Sequence, residues 1–116
     1  HQVNAPLIHK ISELYKKVYI LSSKIPKRDK LGIFLKIENS ILDTSQLIIT
    51  ASLDPRNTKL PYLNTARIKT ELLKRLFRIT NELNIIPNNK YIEIESDLQE
   101  ISKMTNGWIK YLTAAQ

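Results

Sequence analysis

Tyr91-Ile-Glu-Ile-Glu-Ser-Asp-Leu-Gln-Glu-Ile-Ser-Lys-Met-Thr-Asn-Gly-Trp-Ile-Lys-Tyr-Leu112 places an apolar residue every three or four positions. At ~100° per residue, Tyr91, Ile94, Leu98, Ile101, Met104, Trp108 and Leu112 stack on one side. Glu95, Gln99, Ser102, Lys103 and Asn106 occupy the other. The pattern predicts an amphipathic helix over about 88–112. Outward from it, Pro6, Pro26, Pro55, Pro61 and Pro87 divide the rest of the chain into further helical segments with short joints.

The first segment, about 5–24, opens with Asn4 as N-cap and Pro6 in its first turn, and carries Leu7, Ile8, Ile11, Leu14, Tyr15, Val18 and Leu21. A second, 27–52, sets Phe34, Ile37, Ile41, Leu42, Ile48 and Ile49 on one arc and ends at Leu53-Asp-Pro-Arg-Asn-Thr58. The third, 61–84, is strongly basic. Ile68, Leu72, Leu73, Leu76 and Ile79 fill one side, and Arg67, Lys74 and Arg78 form a stripe on the other, with Arg75 and Lys69 nearby and Glu71 among them. Asn84-Ile-Ile-Pro-Asn-Asn89 is the last joint. Four segments of this length with short loops predict an all-α, antiparallel up-down-up-down four-helix bundle, with 116 residues as one domain over 1–116.

Composition narrows the chemistry. Eighteen Lys and Arg against eleven Asp and Glu leave a net charge of +7, which favours nucleic acid, anionic membrane or acidic protein as partner. Without cysteine there is no thiolate metal site, redox motif or disulfide framework, and a cytoplasmic location is expected. A di-iron bundle needs Glu-x-x-His motifs on its helices, and neither His1 nor His9 has an acid three positions before it. Nor does an arginine precede either histidine, as in small helical ribonucleases. Gly32 and Gly107 stand alone, so no phosphate-cradling glycine loop exists. The expectation is a non-enzyme with no cofactor, no metal and no small-molecule substrate.

Two basic clusters are the candidate binding residues: Arg67, Lys74, Arg75 and Arg78 on segment three, and Lys16, Lys17, Lys24, Lys27, Arg28 and Lys30 around the first joint. A solvated face is the plainer reading of segment three, since Glu71 and Glu82 stand within a turn of its cations. The acids Glu93, Glu95, Asp97 and Glu100 suit the positive end of the fourth helix, the alternative being a basic surface on another subunit. Glu38 and Lys69 fall inside apolar arcs and predict either a buried ion pair or a lysine stem reaching water. Gly107 predicts a close helix approach, and Trp108 a ring filling the bundle end.

Several stretches share an order seen elsewhere: Ile25-Pro-Lys-Arg-Asp-Lys-Leu-Gly32, Ile37-Glu-Asn39, Leu60-Pro-Tyr-Leu63, Leu72-Leu-Lys-Arg-Leu-Phe-Arg-Ile79, Tyr91 and Met104-Thr-Asn-Gly-Trp-Ile-Lys110. From about Leu7 to Leu112 the chain resembles the accessory variability determinant proteins of diversity-generating retroelements. These sit within a wider four-helix-bundle family encoded in intervening sequences of large-subunit ribosomal RNA. The resemblance implies a homopentameric barrel of bundles whose basic surface binds RNA or DNA and a dedicated reverse transcriptase. Such a protein contributes no catalytic residue and supports adenine-mutagenic synthesis of complementary DNA. It implies Lys74, Arg75 and Arg78 as the first contacts with enzyme or nucleic acid, then Arg67 and the joint lysines. The rival is a scaffold or assembly protein of the wider family that uses the same face for an acidic protein. A peripheral membrane protein is the weaker rival, because the chain lacks the exposed Trp, Phe or Leu face of interfacial helices.

Overall fold

The computed structural model describes residues 4–114, so His1 lies outside the described residues. Helix α1 (Asn4–Ser22) begins without the expected cap geometry, since Asn4 Oδ1 accepts from the adjacent Ala5 N–H at 3.0 Å. It ends where Ser22 and Ser23 donate their hydroxyls back to the Tyr19 and Ile20 carbonyls, ahead of Pro26, which has no N–H to offer.

The expected helix 27–52 is two helices, a one-turn α2 (Lys27–Leu31) and α3 (Ile33–Leu53), divided at Gly32. A Cβ at Gly32 would stand 3.0 Å from the Arg28 carbonyl oxygen, so the bend is tight enough to favour glycine there. Lys59 Nζ caps the end of α3, donating to the Ala51 carbonyl at 2.6 Å where the helix dipole is negative. A 3-10 turn (Arg56–Thr58) leads into α4 (Lys59–Glu82). Asn84, at φ 57°, terminates α4. Ile85 N–H bonds Thr80 O at 2.8 Å and Asn84 N–H bonds Asn81 O at 3.0 Å, the paired bonds of a Schellman motif. Helix α5 (Asn88–Ala114) follows Pro87, whose carbonyl accepts from Lys90 and Tyr91.

The four long helices α1, α3, α4 and α5 form an all-α four-helix bundle of 48 × 21 × 19 Å. Helix α3 packs on α4 and α1, α4 on α5, and the more loosely packed α1–α5 pair closes the ring. Helices α1 and α4 are therefore diagonal neighbours, and every adjacent pair runs antiparallel.

On α4 the buried seam is Leu63, Ala66, Thr70, Leu73, Phe77 and Thr80, not the arc expected from its aliphatics. Leu73 alone of that arc is buried, Leu76 is half-buried, and Ile68, Leu72 and Ile79 remain 60, 39 and 40% exposed. Alanine and threonine win the inward positions because they let helices approach closely. Each buried hydroxyl is satisfied within its own helix: Thr70 donates to Ala66 O at 2.8 Å and Thr80 to Phe77 O at 2.6 Å. Helix α3 repeats the theme. Phe34, Ile37, Ile41 and Ile48 are buried with Ser40 and Thr44, while Leu42 and Ile49 join Leu35 on an exposed stripe, which overturns the expectation that the chain has no exposed leucine face.

The expectations for Lys69 and Gly107 both turn on exposure. Lys69 takes the second of its two expected courses: there is no buried pair with Glu38 among the described residues, and the stem runs outward to reach the exposed Asp43 carboxylate across the α3–α4 seam at 3.8 Å. Gly107 faces open space, with no atom within 4 Å of a Cβ built on it. It is one residue round the helix from the core, so no neighbouring helix approaches it. Trp108, 2% exposed, fills the end of the core beneath Lys59, whose ammonium lies 5.9 Å from the ring centroid.

Candidate partner-binding surface

The cations of α4 divide by direction. Arg67, Lys74 and Arg78 lean toward α5, and Arg75 stands on the outermost line of the helix with Ile68, Leu72 and Ile79. Between α4 and α5 runs an open groove of about 560 Å³, lined by Ile68, Glu71, Leu72, Lys74, Arg75, Arg78, Tyr91 and Glu95. A second depression of about 440 Å³ continues along the same seam past Arg67 to Gln99, Ser102, Lys103 and Asn106. Lys74 is partly neutralised by Glu71, 2.8 Å away within its own helix. Among the described residues Arg67, Arg75 and Arg78 form no ion pair, so their charge is directed outward.

At the groove's upper end a hydrogen bond to Glu95, with burial and the Glu95 charge, holds the Tyr91 hydroxyl above the usual tyrosine pKa, against the opposing pull of Arg78. Tyr91 and Glu95 thus form one wall facing the arginines. The sequence treated them as a core residue and a polar-face residue. Their role was detectable only in that Tyr91 and Glu95 are four apart on α5, opposite the basic helix. Lys103, assigned to the polar face of α5, adds a further cation to the lower depression.

The joint cluster separates into two groups. Lys24, Lys27, Arg28 and Lys30 are exposed and free of ion pairs among the described residues. Lys16 is held by Glu13 at 3.0 Å on the surface of α1, a contact that lowers the Glu13 pKa.

Lys17 turns inward. Its ammonium bonds Asp97 Oδ2 at 2.7 Å and lies 3.6 Å from Glu93, while Lys10 meets the other Asp97 oxygen at 3.0 Å. Burial alone would lower the Lys17 pKa. The Asp97 hydrogen bond and charge, helped by Glu93, outweigh burial and raise it. Two of the acids assigned to the helix macrodipole therefore tie α5 to α1. The sequence hint was Lys10 and Lys17, seven apart on one face of α1.

The antiparallel order brings the joint cluster and the Arg75–Arg78 end of α4 to the same end of the bundle, with α2 of the joint packed on α3, the neighbour of α4. Among the described residues no helix is long and apolar enough to cross a membrane.

A protein-family model described as bAvd-like matches residues 7–112, nearly the whole chain. No curated protein matches it.

Proposed function

The chain belongs to the bAvd-like family, and from that premise we propose that it is the non-catalytic accessory protein of a diversity-generating retroelement. It binds nucleic acid and the element's reverse transcriptase through basic helix surfaces, as a homopentamer, and supports mutagenic synthesis of complementary DNA. The observation that carries this reading is the set of outward cations that no internal carboxylate neutralises. These are Arg67, Arg75 and Arg78 on α4 and Lys24, Lys27, Arg28 and Lys30 at the joint. Clustered, unpaired cations displace condensed counterions from phosphate backbones, which drives binding without sequence preference.

Fluorescence anisotropy with labelled RNA, DNA and hybrid duplexes over a salt series tests this reading. Wild type should bind with a steep inverse salt dependence. The Lys24→Glu, Lys27→Glu, Arg28→Glu variant should flatten the slope by about one unit for each phosphate no longer neutralised. No binding at low salt would overturn the nucleic-acid role.

A further inference from the structure

We propose that the outer face of α4 docks an acidic amphipathic helix of a protein partner, while the α1–α2 joint is the surface for phosphate. The proposal rests on the reading above only in giving the chain a protein partner as well as nucleic acid. Ile68, Leu72, Arg75 and Ile79 succeed one another every three or four residues on the outermost line of α4. They make a stripe about 17 Å long at 1.5 Å rise per residue. A phosphate backbone offers nothing to cover three exposed aliphatic side chains, whereas a second helix lying along the stripe would cover them.

Charge then selects the kind of helix. Arg75 lies within the apolar line and Arg78 flanks it, both without an ion pair among the described residues. The adjoining groove of about 560 Å³ gives flanking carboxylates room to reach them. The partner face that fits has apolar residues spaced i, i+4 and i+11, with Asp or Glu beside them. On α3 the positions three or four residues from exposed Leu35, Leu42 and Ile49 hold Glu38 and no lysine or arginine, so no cation there selects an acidic partner. At the joint the balance is reversed. Lys24, Lys27, Arg28 and Lys30 crowd into seven residues with no exposed large aliphatic side chain among them, and Leu31 stands exposed next to them. The two surfaces are carried by different elements, the joint by Lys24 and α2 and the stripe by α4.

The test uses a labelled synthetic helix of about 18 residues with leucines at that spacing and glutamates flanking them, beside a scrambled peptide of equal charge. The full chain should bind the patterned peptide at least ~10-fold more tightly than the scrambled one. The Ile68→Ser, Leu72→Ser variant and, independently, Arg75→Glu should each weaken it about tenfold, and the Lys24→Glu, Lys27→Glu, Arg28→Glu variant should leave it unchanged. These side chains are exposed, and circular dichroism of each variant checks the fold. RNA added to the peptide complex should bind without displacing the peptide.

Equal binding of the two peptides, no binding, or displacement by RNA would each overturn the proposal. So would loss of self-association in the Ile68→Ser, Leu72→Ser variant by light scattering, since the face would then belong to a second copy. Failure of RNA to bind, with patterned-peptide binding intact, would remove the nucleic-acid role and leave the docking face standing.

Discussion

Asp97→Asn should destabilise the bundle by about 2 kcal/mol. The carboxylate is only 11% exposed and receives Lys17 at 2.7 Å and Lys10 at 3.0 Å, at the loosest of the four helix contacts. Removing one member of a fully buried ion pair costs about 3–5 kcal/mol, because the remaining charge is stranded. Here the lysine side chains are 35 and 34% exposed, so water recovers part of the loss and the figure is reduced accordingly. For a chain of this length about 2 kcal/mol corresponds to roughly 8 °C in Tm. Thermal unfolding followed by circular dichroism at neutral pH measures it, and a cycle with Lys17→Met isolates the pair, with a coupling of about 1–2 kcal/mol.

The alkaline limb offers an independent check. The Lys17 pKa is raised in the folded state above its ordinary 10.5. Its contribution is therefore complete below that value and lost as pH rises through the higher folded one. The stability gap between wild type and Asp97→Asn should narrow over the same range. A change below about 0.5 kcal/mol, or a coupling near zero, would refute the reasoning.

Three further substitutions bear on the fold and its faces. Gly107→Ala should stabilise by about 0.5–1 kcal/mol, since the position is helical and open, and a clear loss in a chemical-denaturation series would mean that something packs there. Trp108→Ala should cost about 3–5 kcal/mol, and a loss under about 1 kcal/mol by the same measurement would contradict burial of the ring. Asn84→Val should cost about 1–2 kcal/mol and Asn84→Gly nothing, because valine strains at a φ of 57°. Equal melting temperatures for the two variants would argue against the Schellman geometry.

The four long helices were legible because apolar residues at three- and four-residue spacing and well-placed prolines report backbone periodicity directly. Gly32 was visible but unread, since one glycine in a periodic segment does not say whether the helix bends or breaks. Of the candidate site, the cations of α4 were found from one helix's own spacing. Tyr91, Glu95 and Lys103 were not assigned to it, because their proximity depends on which face of α5 meets α4. Lys17 was grouped with the joint cations, and only the packing of α1 on α5 shows Asp97 holding it.

By itself the sequence determined the four long helices, the approximate joints and the excess of positive charge, all properties of neighbours in the chain. Tertiary structure decided which of the competing faces on α4 turned inward. Leu73 and Phe77 entered the core with Ala66, Thr70 and Thr80, and Ile68, Leu72 and Ile79 were left outside. The physical reason is that side-chain hydrophobicity ranks residues singly, whereas a packed seam ranks them by how closely two helices can approach. A small residue or an internally bonded threonine can therefore displace a larger aliphatic one. That choice is what leaves an apolar stripe beside unpaired arginines on the surface.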